Sequence, residues 1–270
     1  MNQPFWKGHG TGNDFVIIED LHDYQSPTKQ QVQAWCDRHF GIGADGLLRV
    51  VQGEDGVFFM DYRNADGSIA EMCGNGLRVF ARHLLERGLV DKGNFEVATR
   101  AGRRQVQVLG EDIQVSMGPA RVGQQTWIEL AGKRYTAKAV DVGNPHAVVQ
   151  LESKAELDSL TLRAQPAFDV QLFPTGVNVE FCHAEPDSVL MRVHERGVGE
   201  TLSCGTGVVA SAAVHLQLLA AETDEFDPTR QDVRVTVPGG ALQVTFDAQQ
   251  AWLSGPAVII ARGELCALDG

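Results

Sequence analysis

Two cysteines stand at positions in the sequence where a thiol could exchange protons with a substrate. Cys73 precedes Gly74-Asn75-Gly76, and Cys204 precedes Gly205-Thr206-Gly207. Each of these turns opens an apolar run with helical spacing, so each thiol is expected at a helix N-terminus. There the unpaired N–H groups and the helix dipole favour a thiolate and lower the pKa of the thiol from about 8.5 toward neutrality. The sequence therefore predicts two thiols that could serve as a base and an acid near neutral pH.

The two cysteine motifs belong to an internal repeat. Cys204 follows Cys73 by 131 residues (204 − 73), and the same spacing relates three further pairs of positions. These pairs are Asn64 with Glu195, Met60 with Met191, and Gly12-Asn13 with Gly143-Asn144. The shared spacing indicates that the chain contains two copies of one ancestral half. We expect the two halves to face each other across a site to which each contributes one cysteine.

The residues after each cysteine are candidates for binding a substrate carboxylate. Glycine leaves the neighbouring amides of Gly74-Asn75 and Gly205-Thr206 uncovered, and helix N-termini bind anions generally. Two helices directed at one carboxylate would stabilise the charge that forms when the adjacent carbon loses a proton. With one thiol on each face of that carbon, the sequence predicts a two-base racemase. A thiolate removes the α-proton, and the opposite thiol returns one.

The rest of the chain alternates short strands with a few helices. Spacing and end signals predict helices over 27–39, from Cys73 to Gly88, and over 205–219. The predicted fold is α+β with two pseudo-symmetric halves, each a curved, mostly antiparallel sheet wrapped around a central helix. Residues 1–118, completed by a C-terminal strand over 258–270, form the N-terminal half, and residues 119–257 form the C-terminal half. Strand patterns cover 5–20 with a break at a glycine turn, 47–51, 57–62, 95–99, 104–109, 113–117, 134–142, 147–151, 190–194, 233–237, 242–246 and 252–261.

Composition and charge narrow the classes of partner. The 270 residues carry a net charge of −12, which argues against nucleic acid or an anionic membrane, since either would favour a basic surface. No apolar core segment follows Met1, so no signal peptide is expected. No apolar run reaches the length of a membrane span. We expect a soluble, cytoplasmic protein that binds a small molecule.

The remaining cysteines and histidines indicate neither a metal nor a cofactor. Cys36, Cys182 and Cys266 are predicted to be small buried hydrophobic residues. The cysteines lack the spacing of a zinc site. The chain also lacks a dinucleotide fingerprint, a phosphate-binding loop and a cluster of His and carboxylates at metal spacing. His146 and Glu195 lie beside the proposed site and are candidates to modulate the protonation of the two thiols.

Taken in order along the chain, these motifs resemble those of the diaminopimelate epimerase family. The resemblance implies interconversion of LL-2,6-diaminopimelate and its meso form, in lysine and peptidoglycan-precursor synthesis. It also implies no pyridoxal phosphate, no metal, and a homodimer in the bacterial cytoplasm. The matching stretches are His9–Phe15, Asn64–Ser68, Glu71–Gly76, Gly143–His146, Gly176–Asn178, Glu195–Gly197 and Cys204–Gly207.

By the same resemblance, Cys73 and Cys204 are the acid/base pair, and Gly74-Asn75 and Gly205-Thr206 hold the reacting carboxylate. His146 and Glu195 match family positions that assist the thiols. The residues expected around the rest of the substrate are Asn13, Asn64, Asn144, Asn178, Glu195 and Arg196. Two positions differ from some family members, which carry glutamine in place of Gly46 and a dimerising tyrosine in place of Ala261.

Other classes of function stay open on the sequence. An amino-acid racemase of the proline racemase type shares the plan but typically has histidine where this chain has Asn75. A thiol redox protein would need a resolving partner near an exposed cysteine and would leave the neighbouring Asn, Glu and Arg without a purpose. A Cys–His hydrolase needs one nucleophile and does not explain two. A non-catalytic binding protein would usually have lost one of the cysteines.

Overall fold

The computed structural model of the protein describes residues 3–185, 188–222 and 231–265. The chain forms two compact units, one of residues 1–115 together with 255–270, the other of residues 116–254. Cys73 belongs to the first unit and Cys204 to the second. Cys266 and the last part of the predicted C-terminal strand, 266–270, lie outside the described residues.

Four helices and eighteen strands occur within the described residues. The helices are α1 (Lys29–Cys36), α2 (Gly74–Glu86), α3 (Lys154–Ser159) and α4 (Gly205–Glu222). The strands of the first half of the chain are β1 (Gln3–Gly10), β2 (Asn13–Glu19), β3 (Gly46–Gln52), β4 (Phe58–Asn64), β5 (Asn94–Thr99), β6 (Gly102–Leu109) and β7 (Asp112–Gly118). Those of the second half are β8 (Arg121–Leu130), β9 (Lys133–Asp141), β10 (Pro145–Gln150), β11 (Ala167–Phe168), β12 (Asn178–Glu185), β13 (Ser188–Glu195), β14 (Gly199–Thr201), β15 (Gln231–Val237), β16 (Gly240–Phe246), β17 (Ala251–Pro256) and β18 (Val258–Leu265).

The first unit is a sheet packed on helix α2. Its strands pair in the order β18-β1-β2-β3-β4-β5-β6-β7. All neighbours are antiparallel except β2 with β3 and β4 with β5, which are parallel. Strand β2 is buried on both faces from Phe15 to Ile18, because α2 covers one side and the small helix α1 belongs to the core on the other.

The second unit repeats this plan around helix α4. Its strands pair in the order β8-β9-β10-β12-β13-β15-β16-β17, with β11 beside β8 and β14 beside β13. The parallel pairs are β10 with β12 and β13 with β15, at the same places in the order as those of the first unit. The predicted α+β class, with two similar halves of mostly antiparallel strands around one helix, is confirmed.

Helix α2 begins and ends where local signals predict. Cys73 is its N-cap, and the Cys73 sulfur accepts a hydrogen bond from the Gly76 N–H. At the other end Gly88 has a φ of +65°, which glycine adopts without strain. The Gly88 and Leu89 N–H groups bond back to the Leu85 and Leu84 carbonyls, as in a Schellman motif. The apolar positions between the caps, Leu77, Val79, Phe80, Ala81 and Leu84, are fully buried.

Helix α4 is enclosed only over its first turns. Val208, Val209, Ala210 and Ala212 are fully buried, as predicted for a helix that is apolar nearly all round. The helix then continues past the predicted end at Leu219 to Glu222. Leu219 is 41% exposed, so the C-terminal turns emerge from the core. The buried part of the helix therefore consists of the turns that follow Cys204.

The structure differs from the predicted secondary structure in several places. The predicted helix over 27–39 is shorter, because Thr28 forms the N-cap and the Asp37 carboxylate accepts the N–H groups of His39 and Phe40 and turns the chain away. Phe40, beyond the end of this helix, is 95% exposed. Helix α3 and strands β8, β11 and β14 were not predicted, and the first half of β8 carries exposed polar residues without a clear alternation.

No helix among the described residues combines the length and the apolar character required to cross a membrane.

Candidate active site

Cys73 lies at the first turn of α2 in contact with residues of the β1–β2 turn. The Asn13 Oδ1 lies 3.6 Å from the Cys73 sulfur and 3.3 Å from Asn75 Nδ2. Gly74 and Asn75 are both buried in the first helical turn. The fold therefore brings together four of the residues predicted from the sequence, Asn13, Cys73, Gly74 and Asn75.

Asn13 is held by a cluster of charged residues that the sequence analysis did not single out. Its Nδ2 donates to Asp45 Oδ2 at 2.7 Å, and Arg38 bridges Asp45 and Asp14 at 2.7 and 2.8 Å. Lys7 completes the cluster with a 2.7 Å ion pair to Asp14. Burial by itself would raise the pKa of Asp14, but the hydrogen bonds and charges of Arg38 and Lys7 lower it to about 2. With Asp45 accepting from Nδ2, the Asn13 amide oxygen is directed toward the Cys73 thiol.

The Asn64 side chain forms hydrogen bonds with residues close to it in the chain. Its Nδ2 donates to Ser68 Oγ at 2.9 Å, and its Oδ1 accepts from the Tyr62 hydroxyl at 2.9 Å. Opposite Asn64 in the β3–β4 pairing stands Gly46, where a Cβ would lie 2.5 Å from the Arg63 carbonyl oxygen. A side chain at position 46 would fit only if the Arg63 backbone moved.

Arg78 is a fully buried cation on α2, one turn beyond Cys73. Its Nη2 lies 3.4 Å from Thr11 Oγ1. Burial lowers the pKa of this guanidinium to about 10, while the negative charges of Cys73 and Asp112 act to raise it. Arg78 therefore stays charged at neutral pH and contributes a positive potential at the Cys73 end of the helix.

Cys204 lies at the first turn of α4 and is 7% exposed. Its sulfur lies 3.5 Å from the Thr206 hydroxyl, and the Gly207 N–H bonds to the sulfur as well. Thr206 Oγ1 accepts from Asn144 Nδ2 at 3.2 Å. Gly205 is buried in the same turn. The structure therefore brings Asn144, Cys204, Gly205 and Thr206 together, as the repeat predicts.

His146 and Glu180 form a buried pair behind this turn. His146 Nδ1 lies 2.7 Å from Glu180 Oε1, and His146 Nε2 lies 2.9 Å from Asn144 Oδ1. Both side chains have no exposed surface. The sequence analysis named His146 but missed Glu180. The sequence did contain a signal for Glu180, because it is a single carboxylate within the apolar strand β12. Burying a carboxylate there is unfavourable unless a partner pairs with its charge.

The remaining predicted residues of the second unit lie where β12 begins and where β13 ends. Asn178 Nδ2 donates to the Pro145 carbonyl at 3.2 Å, and Asn178 Oδ1 accepts from the Arg196 N–H at 2.9 Å. The Arg196 guanidinium donates to the Thr175 carbonyl at 3.2 Å. The Glu195 carboxylate accepts from the Thr201 hydroxyl. These contacts place Asn178 and Arg196 side by side.

The expectation that the helix start lowers the pKa of both thiols is wrong for Cys204. Burial raises the pKa of the Cys204 thiol well above its usual value, and the charges of Glu195 and Glu180 raise it further. The hydrogen bonds from Thr206 and the Gly207 N–H act in the opposite direction and do not outweigh burial. Cys204 therefore holds its proton at neutral pH, in the state of an acid.

Two of the other cysteines behave as predicted. Cys36 is 4% exposed and Cys182 is fully buried, and burial raises the pKa of each thiol to about 12. Neither thiol is available as a nucleophile at neutral pH. Within the described ranges, no three His, Cys, Asp or Glu side chains lie together in a way that could hold a metal ion.

The sequence matches the family model described as diaminopimelate epimerase over residues 5–123 and 138–264. A diaminopimelate epimerase of Mycolicibacterium gilvum is 49% identical over 287 residues, covering 97% of this chain and 96% of the relative. One of Corynebacterium glutamicum is 47% identical over 278 residues, covering 97% of this chain and 98% of the relative.

Solved structures share the fold at much lower identity. A hydroxyproline epimerase from Agrobacterium vitis, solved with bound trans-4-hydroxy-L-proline, superposes with a TM-score of 0.71 at 13% identity. The match covers 99% of this chain and 93% of that chain. At this identity the likeness concerns the fold alone.

Proposed function

The chain belongs to the diaminopimelate epimerase family, and we propose from this that it interconverts LL- and meso-2,6-diaminopimelate with Cys73 and Cys204 as the two proton-exchanging groups. One observation carries the assignment of these residues. Each unit places a cysteine at the start of its central helix and an asparagine beside the same helical turn. Asn13 contacts Cys73 itself, whereas Asn144 contacts Thr206, which contacts Cys204. The cysteine, the asparagine and the glycines of the helix start are common to both units, and Asn75 stands where the second unit has Thr206.

In the proposed reaction, one thiolate takes the α-proton and the opposite thiol supplies another. The C–H bond breaks, its electron pair is delocalised into the substrate carboxylate, and the proton passes to sulfur. The S–H bond of the other cysteine then breaks as the carbon is protonated on its opposite face. The amides of Gly74-Asn75 and Gly205-Thr206 stabilise the carboxylate as its charge grows. The two thiols and the amides at the helix starts supply every group that these steps require, so we propose that neither pyridoxal phosphate nor a metal takes part.

The roles of the two thiols follow from their surroundings. Arg78 contributes a buried positive charge at the Cys73 helix, which favours a thiolate there. Burial and two carboxylates favour the protonated form of Cys204. We therefore propose that Cys73 begins as the base and Cys204 as the acid for one stereoisomer, with these roles exchanged for the other. The far end of the substrate is proposed to lie against Asn64, Asn178, Glu195 and Arg196.

Solvent labelling tests the two-base mechanism. In deuterium oxide the thiol that supplies the new proton has already exchanged with solvent, while the thiolate that took the old proton faces the starting isomer. We expect the product to carry deuterium from the first turnover, and the remaining substrate to stay nearly unlabelled until the reverse reaction becomes significant. The measurement is mass spectrometry of the separated LL and meso isomers at early times.

Equal early labelling of both isomers would point to a single base and would reject the mechanism. Proline and hydroxyproline serve as comparison substrates, because the proline racemase type is the alternative that the sequence leaves open. Stereoisomer exchange with these imino acids, and none with diaminopimelate, would assign the chain to that alternative.

We propose that the protein acts as a homodimer in the cytoplasm, in the synthesis of lysine and of peptidoglycan precursors. Strand β18 presents two apolar side chains, Val258 at 44% and Ile260 at 56% exposure, which supports an interface on this strand.

Light scattering after gel filtration should give twice the mass of one chain. Ile260→Glu should shift the protein toward monomer, while Tyr24→Glu, which changes another exposed residue, should not. A wild-type mass of one chain would contradict the dimer.

A further inference from the structure

The two helix starts pack on different residue types at equivalent places. A Cβ at Gly76 would lie 3.3 Å from Phe15 Cζ and 3.4 Å from Leu48 Cδ2. A Cβ at Gly207 would lie 2.6 Å from Glu180 Oε1. The histidine beside Glu180, His146, follows Phe15 by the repeat spacing of 131 residues (146 − 15). The second unit thus has a buried His–Glu pair where the first has a Phe–Leu pair.

The strand pairing confirms that these positions correspond. Phe15 pairs with Gly46 in the parallel β2–β3 ladder, and Leu48 lies two residues further along β3. His146 pairs with Asn178 in the parallel β10–β12 ladder, and Glu180 lies two residues further along β12. Packing beneath the helix start does not require polar residues, since Phe15 and Leu48 fill the same place. A buried ionisable pair is often no more stabilising than an apolar pair of similar size, so its presence here indicates a role in function.

The contacts of His146 fix where its protons lie. Nε2 faces Asn144 Oδ1, which cannot donate, so Nε2 carries a hydrogen. Nδ1 and Glu180 Oε1 share a second hydrogen across 2.7 Å. With its oxygen occupied, the Asn144 amide donates from Nδ2 to Thr206 Oγ1. The Thr206 hydroxyl accepts this bond, and its own hydrogen is then free to point at the Cys204 sulfur, 3.5 Å away.

We propose that Glu180 is a positioning residue of the reaction, which by holding His146 orients Asn144 and Thr206 so that the Thr206 hydroxyl donates to the Cys204 sulfur. The proposal rests on the proposed function, in which Cys204 must alternate between thiol and thiolate. A hydroxyl directed at the sulfur stabilises the thiolate that Cys204 has to form.

The charged groups around Cys204 explain why such a donor is needed. Glu195 reaches the thiol from β13 and Glu180 from β12, and both disfavour a negative sulfur. Replacing Glu180 by leucine therefore has two effects of opposite sign on the Cys204 thiolate. It removes the hydrogen bond that orients the chain through His146, and it removes one carboxylate that disfavours a negative sulfur. Glu180→Gln removes the same charge, so the comparison of the two variants isolates the orientation.

The test measures the reactivity of each cysteine separately. The full-length wild type and its variants are alkylated with iodoacetamide from neutral to alkaline pH, and mass spectrometry of the digest quantifies the Cys73 and Cys204 peptides. In Glu180→Leu we expect Cys204 alkylation at a given pH to be about tenfold slower than in Glu180→Gln, the equivalent of about one pKa unit. Cys73, in the other unit, should keep its rate and serves as the internal control.

Glu180→Gln separates orientation from charge. Its amide can donate to Nδ1 and leave the hydrogen on Nε2, and it lacks the charge that disfavours a negative sulfur. We therefore expect Cys204 alkylation at least as fast as in the wild type. If Glu180→Leu does not fold, the double variant His146→Phe with Glu180→Leu replaces it, because it introduces the residue types that the first unit already packs. We expect the same loss of Cys204 reactivity in the double variant, with circular dichroism unchanged.

Two outcomes would overturn the proposal. The first is Cys204 alkylation in the folded Leu or double variant that is as fast as in the Gln variant. The second is an equal loss of alkylation at Cys73 and Cys204. Alkylation requires no turnover, so its result is independent of the substrate. A wild type that fails to epimerise diaminopimelate would instead reject the proposed function.

Discussion

Replacing either Cys73 or Cys204 by alanine should lower kcat/KM for epimerisation by at least about 10²–10⁴-fold, the usual cost of losing an acid/base group. Each thiol contacts polar groups of its own unit, Asn13 for Cys73 and Thr206 for Cys204, and each is proposed to serve one face of the carbon. Because the proposed mechanism needs a proton-exchanging group on each face, one cysteine should not replace the other. The measurement is the initial rate of conversion of LL-diaminopimelate to the meso form.

Cys36→Ala provides the matched control. Cys36 is buried at the end of α1, and burial raises the pKa of its thiol to about 12, so it has no acid/base role at neutral pH. Its loss should affect stability slightly and leave kcat/KM near the wild-type value. Epimerisation by Cys204→Ala within about tenfold of the wild-type rate would contradict the two-base assignment, because the expected loss is larger.

Replacing Asp61 by asparagine should lower the free energy of unfolding by about 3–5 kcal/mol, the range for breaking a buried ion pair. Asp61 lies on β4 with no exposed surface, and its carboxylate accepts from Arg49 at 2.9 Å and from Arg100 at 2.5 Å. Arg63 makes a third contact at 3.3 Å. An asparagine would direct its own N–H groups at these donors and leave buried positive charge unpaired. Urea denaturation measures the change.

The control for this variant is Asp55→Asn. Asp55 also pairs with an arginine, Arg103, but its side chain is 52% exposed, so the loss of stability should be much smaller than that of Asp61→Asn. A destabilisation of Asp61→Asn as small as that of the exposed pair would show that the buried network contributes little.

The same network predicts how stability depends on pH. Burial alone would raise the pKa of Asp61, but hydrogen bonds from Arg100, Arg63 and Arg49 lower it below the usual value. A carboxyl with a lowered pKa in the folded state stabilises the fold fully above its unfolded pKa of about 3.9, and this contribution is lost as the pH falls further. Asp14, whose pKa is lowered to about 2, acts in the same range. Stability of the wild type should therefore fall steeply below about pH 4, and Asp61→Asn should show a shallower fall.

The amino-acid sequence by itself determined the features that depend on local signals. The bounds of α2 followed from a capping residue, the 3.6-residue spacing of Leu77 to Leu84, and Gly88. These signals act within a few residues of each other, so the chain need not be folded for them to be recognised. The internal repeat likewise located both cysteines and their asparagine neighbours, because equal spacing in two copies places equivalent residues at equivalent points of the fold.

Only the tertiary structure decided what lies behind those cysteines. Glu180 meets His146 because β12 pairs with β10, a contact between strands 34 residues apart in the chain. The pKa of Cys204 rises because the whole unit buries the thiol and brings Glu195 and Glu180 to it. The start of a helix stabilises a thiolate through a few nearby N–H groups. Burial destabilises the thiolate through all the groups that keep water away from the sulfur. The depth of burial depends on distant strand pairing, which residue spacing does not encode, and in the second unit burial outweighs the local effect.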